Sequence, residues 1–351
     1  VASTANIEAH AEVLKNDAMR KDLGLLGLMI AQETEKDQVT VTEILDKAQS
    51  SLNKMTSTLE VSKPLLISEV LIQELNDRKN RKGGLTGYTT GLKIWDKFIG
   101  GLYTGVHVVA ARPAMGKTAF AVSVAVNASK NVPVCFWSGE MIKSKIALRV
   151  ESYLTGIPTE RLRLNKIYEN EQNVLSEAHN IMSNMMLEID DTPNLDFEQL
   201  RIKCLKWKGK YKDFVLVMDY LGLMDDKGDE YRGVTQNSKN IHALANELDI
   251  SILLLHQLSR SVESRQDKLP QLSDLRASGG IEQDADTVTF LYRPDYYELK
   301  EDPVSQGMVE EGKAYAIIKK NREGKVGSVE LSFIGQSSKY EDYNVDNYEP
   351  F

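Results

Sequence analysis

Apolar positions along the chain change their spacing once, near residue 85. Before it they recur at helical intervals. Ile7 to Met55 reads as helical, with Leu23–Ile30 nearly continuously apolar and long enough for a buried helix. Thr40 and Glu43 form a capping box ahead of Ile44, Leu45, Ala48, Leu52 and Met55, one apolar face of a second helix. Fewer than about 60 residues with one stripe per helix is marginal alone, so residues 1–60 are expected to be a hairpin that packs on something else. Pro64 then opens a helix over 65–76, with Ile67, Val70, Leu71 and Leu75 on one face and Glu69, Gln73, Glu74 and Asp77 on the other. It runs into the polar, basic, Gly-ended tract Asn76–Gly84. Residues 61–84 therefore read as an amphipathic helix on a flexible linker, its stripe docking on its own domain or on a neighbouring subunit.

From Leu85 the apolar residues gather into short runs, Val106–Ala111, Val132–Ser138, Phe214–Asp219, Ile250–His256, Thr287–Tyr292 and Ala314–Lys319, with helical patterns between the earlier ones. Alternating strand and helix signals predict an α/β fold with a mostly parallel β-sheet flanked by helices over 85–351. Ala314–Lys319 and Val326–Ile334 around Glu323-Gly324 read as a hairpin, so the sheet is expected to finish antiparallel.

Composition narrows the class. With 351 residues, 42% hydrophobic and 27% charged, the chain suits one or two globular domains with a sizeable core. No window approaches the roughly 18 apolar residues of a membrane span, and the first residues lack the basic head and apolar core of a secretory signal. Val1 in place of Met suggests processing or truncation. Cys135 and Cys204 are the only cysteines and the first sits in an apolar run, which points to a reducing, cytoplasmic setting without disulfide or metal frameworks. A net charge of -8 argues against a protein that coats duplex DNA. A ring that confines one strand needs only local donors.

The chemistry centres on VHVVAARPAMGKT, residues 106–118. An apolar run, a turn and Gly116-Lys117-Thr118 opening a helix is the layout of a phosphate-binding loop, with the main chain of Ala114, Met115 and Gly116 wrapping an anion at a helix N-terminus. Lys117 would reach the β- and γ-phosphates of a nucleoside triphosphate and the Thr118 hydroxyl would hold Mg²⁺. Ala111 stands where the usual pattern has its first glycine, which Ala can serve if its φ is negative. Asp219 ends an apolar run in the manner of a Mg²⁺-binding carboxylate, or else starts an ordinary turn. Glu140, just past another run, is placed to polarise a water or to sit ahead of the next helix. Gln257 ends a third and could touch a γ-phosphate, while its neighbour His256 is more often structural. Lys320 and Arg322, two apart, suit a single phosphate or a solvated basic hairpin. In Asp274–Asp286, Arg276, Ala277, Ser278 and two glycines give a segment whose main chain can approach a nucleic-acid backbone, or a flexible active-site loop. The basic run Arg201–Lys212 reads as a wet helix face.

Together, AARPAMGKT (110–118), FWSGEM (136–141), LVMDYLGLM (216–224), LLLHQLSR (253–260), DLRASGGIEQDAD (274–286) and KKNREG (319–324), with the lead-in TGLKIWDK (90–97), resemble the replicative hexameric DNA helicases of bacteria and phages, the DnaB-like family with its RecA-type ATPase core. Six motifs in order over about 250 residues are specific where each alone is weak.

The resemblance implies ATP and Mg²⁺ as cofactors, Glu140 as catalytic base, Asp219 with Thr118 at the metal and Gln257 as γ-phosphate sensor. It implies Lys320 and Arg322 as cations given in trans, and Arg149 as a further phosphate contact. It also places single-stranded DNA on the segment Arg276–Gly279, and a homo-hexamer closed through helix 65–76 and the nucleotide interface. A primase and a loader are implied as partners, and residues 1–60 are expected to be a remnant of a longer collar domain. The expected activity is 5′ to 3′ translocation with unwinding. The competitors are a filament-forming RecA-type ATPase and an ATP-switched assembly or loader protein that does not unwind.

Overall fold

The computed structural model describes residues 4–36, 39–57, 65–80, 84–219, 222 and 230–343. The expected helix start at Pro64 and residues 81–83 of the basic tract lie outside them. The chain divides into two compact units, Val1–Asn80 and Arg81–Phe351.

In the first unit α1 (Thr4–Thr34) packs against α2 (Val41–Ser57). The capping box forms: Glu43 N–H donates to Thr40 Oγ1 and Thr40 N–H to the Glu43 carboxylate. Leu26, Ile44 and Ala48 are buried, but Leu23, Leu25 and Leu28 are exposed. The expected buried helix over 23–30 is thus only partly covered. Successive residues point about 100° apart, so an unbroken apolar run faces all round and one partner helix covers one side. The third helix, α3 (Ile67–Asn80), runs four residues past its expected end. Leu66 N–H is capped by Glu69, and the Glu74–Arg78 pair at 3.0 Å supports the last turns through the tract read as linker. Ile67, Val70, Leu71 and Leu75 are exposed.

The second unit is a nine-stranded sheet wrapped by helices. Along the chain run α4 (Lys93–Ile99), β1 (Gly105–Ala111), α5 (Lys117–Ala128), β2 (Val134–Ser138), α6 (Lys143–Thr155), α7 (Thr159–Arg163), α8 (Gln172–Ser183), β3 (Leu187–Asp190) and α9 (Phe197–Tyr211). Then come β4 (Val215–Asp219), α10 (Glu230–Leu248), β5 (Ser251–Gln257), α11 (Gly279–Asp284), β6 (Thr287–Tyr292), β7 (Lys313–Asn321), β8 (Gly327–Ile334) and β9 (Lys339–Asp342). The order is β3-β2-β4-β5-β1-β6-β7-β8-β9. Strands β1 to β6 pair in parallel and β6 to β9 antiparallel, the mixed sheet that the apolar runs and the late hairpin predict.

Strands β1, β2, β4 and β6 are buried throughout, which is why their sequences read as unbroken apolar runs. Alternate residues serve two cores. Val109 and Ala111 join Trp95, Phe120 and Phe136 on one face, while Val106, Val108 and Ala110 join Trp137, Trp207 and Phe290 on the other. Strands β3 and β9 have no counterpart in the sequence reading. Each is four residues long, at a sheet edge and half-buried apart from Tyr340 of β9, which is fully buried, so neither carries an apolar run.

Candidate active site

Parallel strands end on one side of the sheet, and the register decides which residues meet there. Ala111 pairs with Gln257 across β1 and β5, and Ser138 with Asp219 across β2 and β4. Gly139 N–H donates to the Asp219 carbonyl at 2.8 Å, tying the turn that carries Glu140 to the end of β4.

The loop between β1 and α5 enters the same edge. Ala111 is still strand and is absent from the positive-φ residues; the left-handed positions are Ala114 (φ 65°) and Gly116 (φ 85°). The strain that a glycine would relieve therefore falls three residues later. At Gly116 a Cβ would lie 2.9 Å from the Phe333 ring and 3.0 Å from that of Tyr340. The turn aims the first N–H groups of α5, which have no intrahelical acceptor, into the cleft.

Side chains converge on this point. Thr118 Oγ1 donates to Asp219 Oδ2 at 2.7 Å. Lys117 Nζ lies 3.2 Å from Asp219 Oδ1 and 3.9 Å from Glu140 Oε2. The Asp219 side chain is fully buried and its Oδ1 accepts no aligned hydrogen bond; with the Thr118 hydroxyl beside it, this is a set of oxygens that fits a divalent cation. Glu140, by contrast, is 53% exposed, open to water. Arg149 on α6 faces the same carboxylates: burial pushes its guanidinium below the ordinary value, with Asp219 and Glu140 opposing the shift. Burial, with Lys117 adding to it, pushes the His256 imidazole down to about 4, so at neutral pH it is an uncharged wall of the cleft.

Lys320 and Arg322 are elsewhere. Strand β7 is antiparallel, and its end pairs with the start of β6, Val288 opposite Lys320 and Thr287 opposite Asn321. That is the other edge of the sheet, about 20 Å from the phosphate loop at roughly 3.3 Å per residue along β1. There Lys320 Nζ donates to the carbonyls of Glu282 (2.6 Å) and Gln283 (3.0 Å). Arg322 donates to the Gln283 carbonyl (2.7 Å) and to Asp286 Oδ1 (2.9 Å). The segment read as a loop at Arg276 is wound into a 3₁₀-helix, Leu272–Ser278, that continues into α11. The side chains of Arg276, Ala277 and Gly279 lie outside the described residues.

The profile of the DnaB-like helicase C terminal domain matches residues 87–342. The chain belongs to the DnaB-like helicase family. It is 35% identical over 97% of its length to the replicative DNA helicase DnaB of Geobacillus stearothermophilus, covering 76% of that protein. To the replicative DNA helicase DnaC of Bacillus subtilis it is 33% identical, with the same two coverages. Among solved structures it resembles that of a DnaB-like replicative helicase and its interactions with primase, with a TM-score of 0.81, 30% identity, 98% of this chain and 81% of the other. It also resembles a separately solved ATPase domain, with a TM-score of 0.75, 33% identity, 80% of this chain and all of the other. As a member of the DnaB-like helicases it is an ATP-dependent DNA helicase, a hydrolase of DNA replication.

Several residues around this DnaB-like site were not picked out from sequence. The Tyr340 hydroxyl donates to the Met115 carbonyl, and Arg293, stacked on Phe333, lies 3.5 Å from the Ala114 carbonyl. Ser338 accepts from Arg149. Arg112, in the phosphate loop itself, is buried and held by Glu263 at 2.7 and 2.8 Å and by the Leu258 carbonyl. The late strands supply most of these, and nothing local in sequence announces that β8 and β9 fold back over the loop. Among the described residues no helix is long and apolar enough to cross a membrane.

Proposed function

We propose that the chain is a ring-forming motor that moves 5′ to 3′ along single-stranded DNA and unwinds duplex as it hydrolyses ATP between subunits. The observation that carries this reading is the split of the site: Lys117, Thr118, Glu140, Asp219 and Gln257 gather at one edge of the sheet, and Lys320 and Arg322 stand at the other. Cations about 20 Å from their own phosphate loop, given the rise of a β-strand, cannot compensate charge there. A neighbouring copy presented head to tail supplies the missing pair, and a closed ring satisfies every site.

Within one site the main chain of Ala114, Met115 and Gly116 cradles phosphate oxygens and Lys117 swings from Asp219 to the β- and γ-phosphates. Glu140, water-exposed beside Lys117, takes the proton of the attacking water. Gln257 touches the γ-phosphate, and Arg149 adds a donor from α6. Thr118 and Asp219 would hold Mg²⁺, which when bound neutralises developing charge on the phosphates. Arg322 is the finger for the neighbour's γ-phosphate and Lys320 its companion.

The 3₁₀ segment at Arg276 and Ala277, with Gly279 opening α11, contacts the DNA backbone, and the exposed stripe of α3 docks on the adjacent subunit to close a hexamer. On this reading residues 1–60 are a helical hairpin, 61–84 the linker and 85–351 the motor. A primase contact is supported by the solved relative described with primase; a loader contact rests on family membership alone.

A forked duplex tests the proposal. With ATP and Mg²⁺ the protein separates the strands, and Glu140→Gln binds nucleotide but turns over about 10²-fold or more slower, the usual worth of a general base. ATP binding with no unwinding by the unaltered protein would favour a loader, and filaments on DNA a strand-exchange ATPase.

A further inference from the structure

The cation pair at the far edge is not loose. The Arg322 side chain is 44% exposed, yet its guanidinium is fixed on two sides, by Asp286 Oδ1 at 2.9 Å and the Gln283 carbonyl at 2.7 Å. Its own N–H donates to the Asp286 carbonyl at 3.0 Å, so one residue holds both ends of the arginine. Asp286 is in turn locked to the sheet. Its Oδ2 accepts the Val106 N–H at 2.8 Å and its own N–H donates to the Val106 carbonyl at 2.8 Å. His242 Nδ1 stands 3.8 Å from the same oxygen. The fit at β1 is close: a Cβ on Gly105, whose φ is 139°, would fall 2.3 Å from Asp286 Oδ2. The carboxylate thus lies between the strand that leads to this subunit's phosphate loop and the arginine offered to the next one.

We propose that Asp286 is the positioning residue of the trans-acting Arg322, setting the direction in which the guanidinium is presented to the adjoining subunit's nucleotide. This rests on the assignment of Arg322 as the finger. A long side chain with many rotamers is a poor electrostatic catalyst until something removes its freedom. Asp286 does so without touching the nucleotide, and the Gln283 carbonyl, shared with Lys320, holds the second cation at the same point.

The test is Asp286→Asn, which keeps an oxygen for the Val106 N–H and removes the charge that holds Arg322. Expected are unchanged assembly, thermal midpoint and nucleotide affinity, with kcat for ATP down about ten- to a hundredfold, as for other groups that orient a functional residue. Mixing separates this from a fault in the variant's own site. Glu140→Gln subunits have a dead site but an intact finger, so rings mixed from Asp286→Asn and Glu140→Gln should hydrolyse more ATP than either variant alone. Arg322→Ala mixed with Glu140→Gln is the control. If that control fails to complement, the finger assignment itself is wrong and the proposal falls with it. If it complements and the Asp286→Asn mixture does not, Asp286 acts within its own subunit and only this proposal is overturned. Unchanged or raised turnover by Asp286→Asn, an early melt, or loss of its own nucleotide binding would overturn it as well.

Discussion

At the scale of single residues, the cleft separates two carboxylates by environment. Asp219 is fully buried against Thr118 and Lys117, while Glu140 stands half in water. On the proposed reading the first would hold the cation and the second would meet the attacking water. His256, on β5 beside the strand that ends in Asp219, makes the protein sensitive to acid. Its imidazole titrates near 6.5 when unfolded and at about 4 in place. The unfolded chain therefore binds the extra proton first as pH falls, so stability is full above about 6.5 and is lost down to about 4, by on the order of 3 kcal/mol. His107, wholly buried and also pushed down by burial, acts in the same direction. Thermal melts at pH 7 and pH 4.5 should show a larger drop for the unaltered protein than for His256→Gln. Equal drops would show that His256 does not titrate as its burial dictates.

At the scale of elements, the motifs sort into those that react and those that hold. TGLKIWDK, residues 90–97, resembles the family as well as the phosphate loop does, yet its side chains are structural. Asp96 accepts from the hydroxyls of Thr89 and Thr90 and the Thr90 N–H, and Trp95 is buried edge-on to Phe120 with its indole N–H donating to Thr289. Trp95→Ala should cost about 3–5 kcal/mol in urea unfolding, as emptying a large aromatic site usually does; a loss under about 1 kcal/mol would mean the core under α5 is not packed as described.

The strands that lead to Lys117 and Glu140 and those that end in Asp219 and Gln257 were legible because a buried parallel strand must be apolar throughout and can end in one polar residue. That β3 and β9 exist was not, since an edge strand of four residues needs no apolar run. Nor was the end of α3, because the polar residues 77–80 look like linker until the Glu74–Arg78 pair is seen. The role of Asp286 stayed hidden for a different reason. Its partners Val106 and Arg322 lie 180 and 36 residues away, and no spacing rule reaches that far.

At the scale of the whole molecule, the proposed motor divides each site between two chains. Lys320 and Arg322 face away from their own phosphate loop, and α3 carries Ile67, Val70, Leu71 and Leu75 exposed to solvent. Both are accounted for by a head-to-tail ring, in which each copy covers the stripe of one neighbour and completes the site of the other. Replacing Val70 and Leu71 by Glu should leave the fold of residues 85–343 unchanged while dissociating the ring, seen as a fall from hexamer to smaller species by native mass measurement. A full hexamer in that variant would show that the stripe closes nothing.

The central claim, that hydrolysis is shared between adjoining subunits, is tested most directly by ATPase measurements on rings mixed from Arg322→Ala and Glu140→Gln chains. Each variant alone should be nearly inactive, the first for want of a finger and the second of a base, and the mixture should recover activity wherever an intact Glu140 site meets an intact Arg322. A mixture no more active than the separate variants would contradict the account.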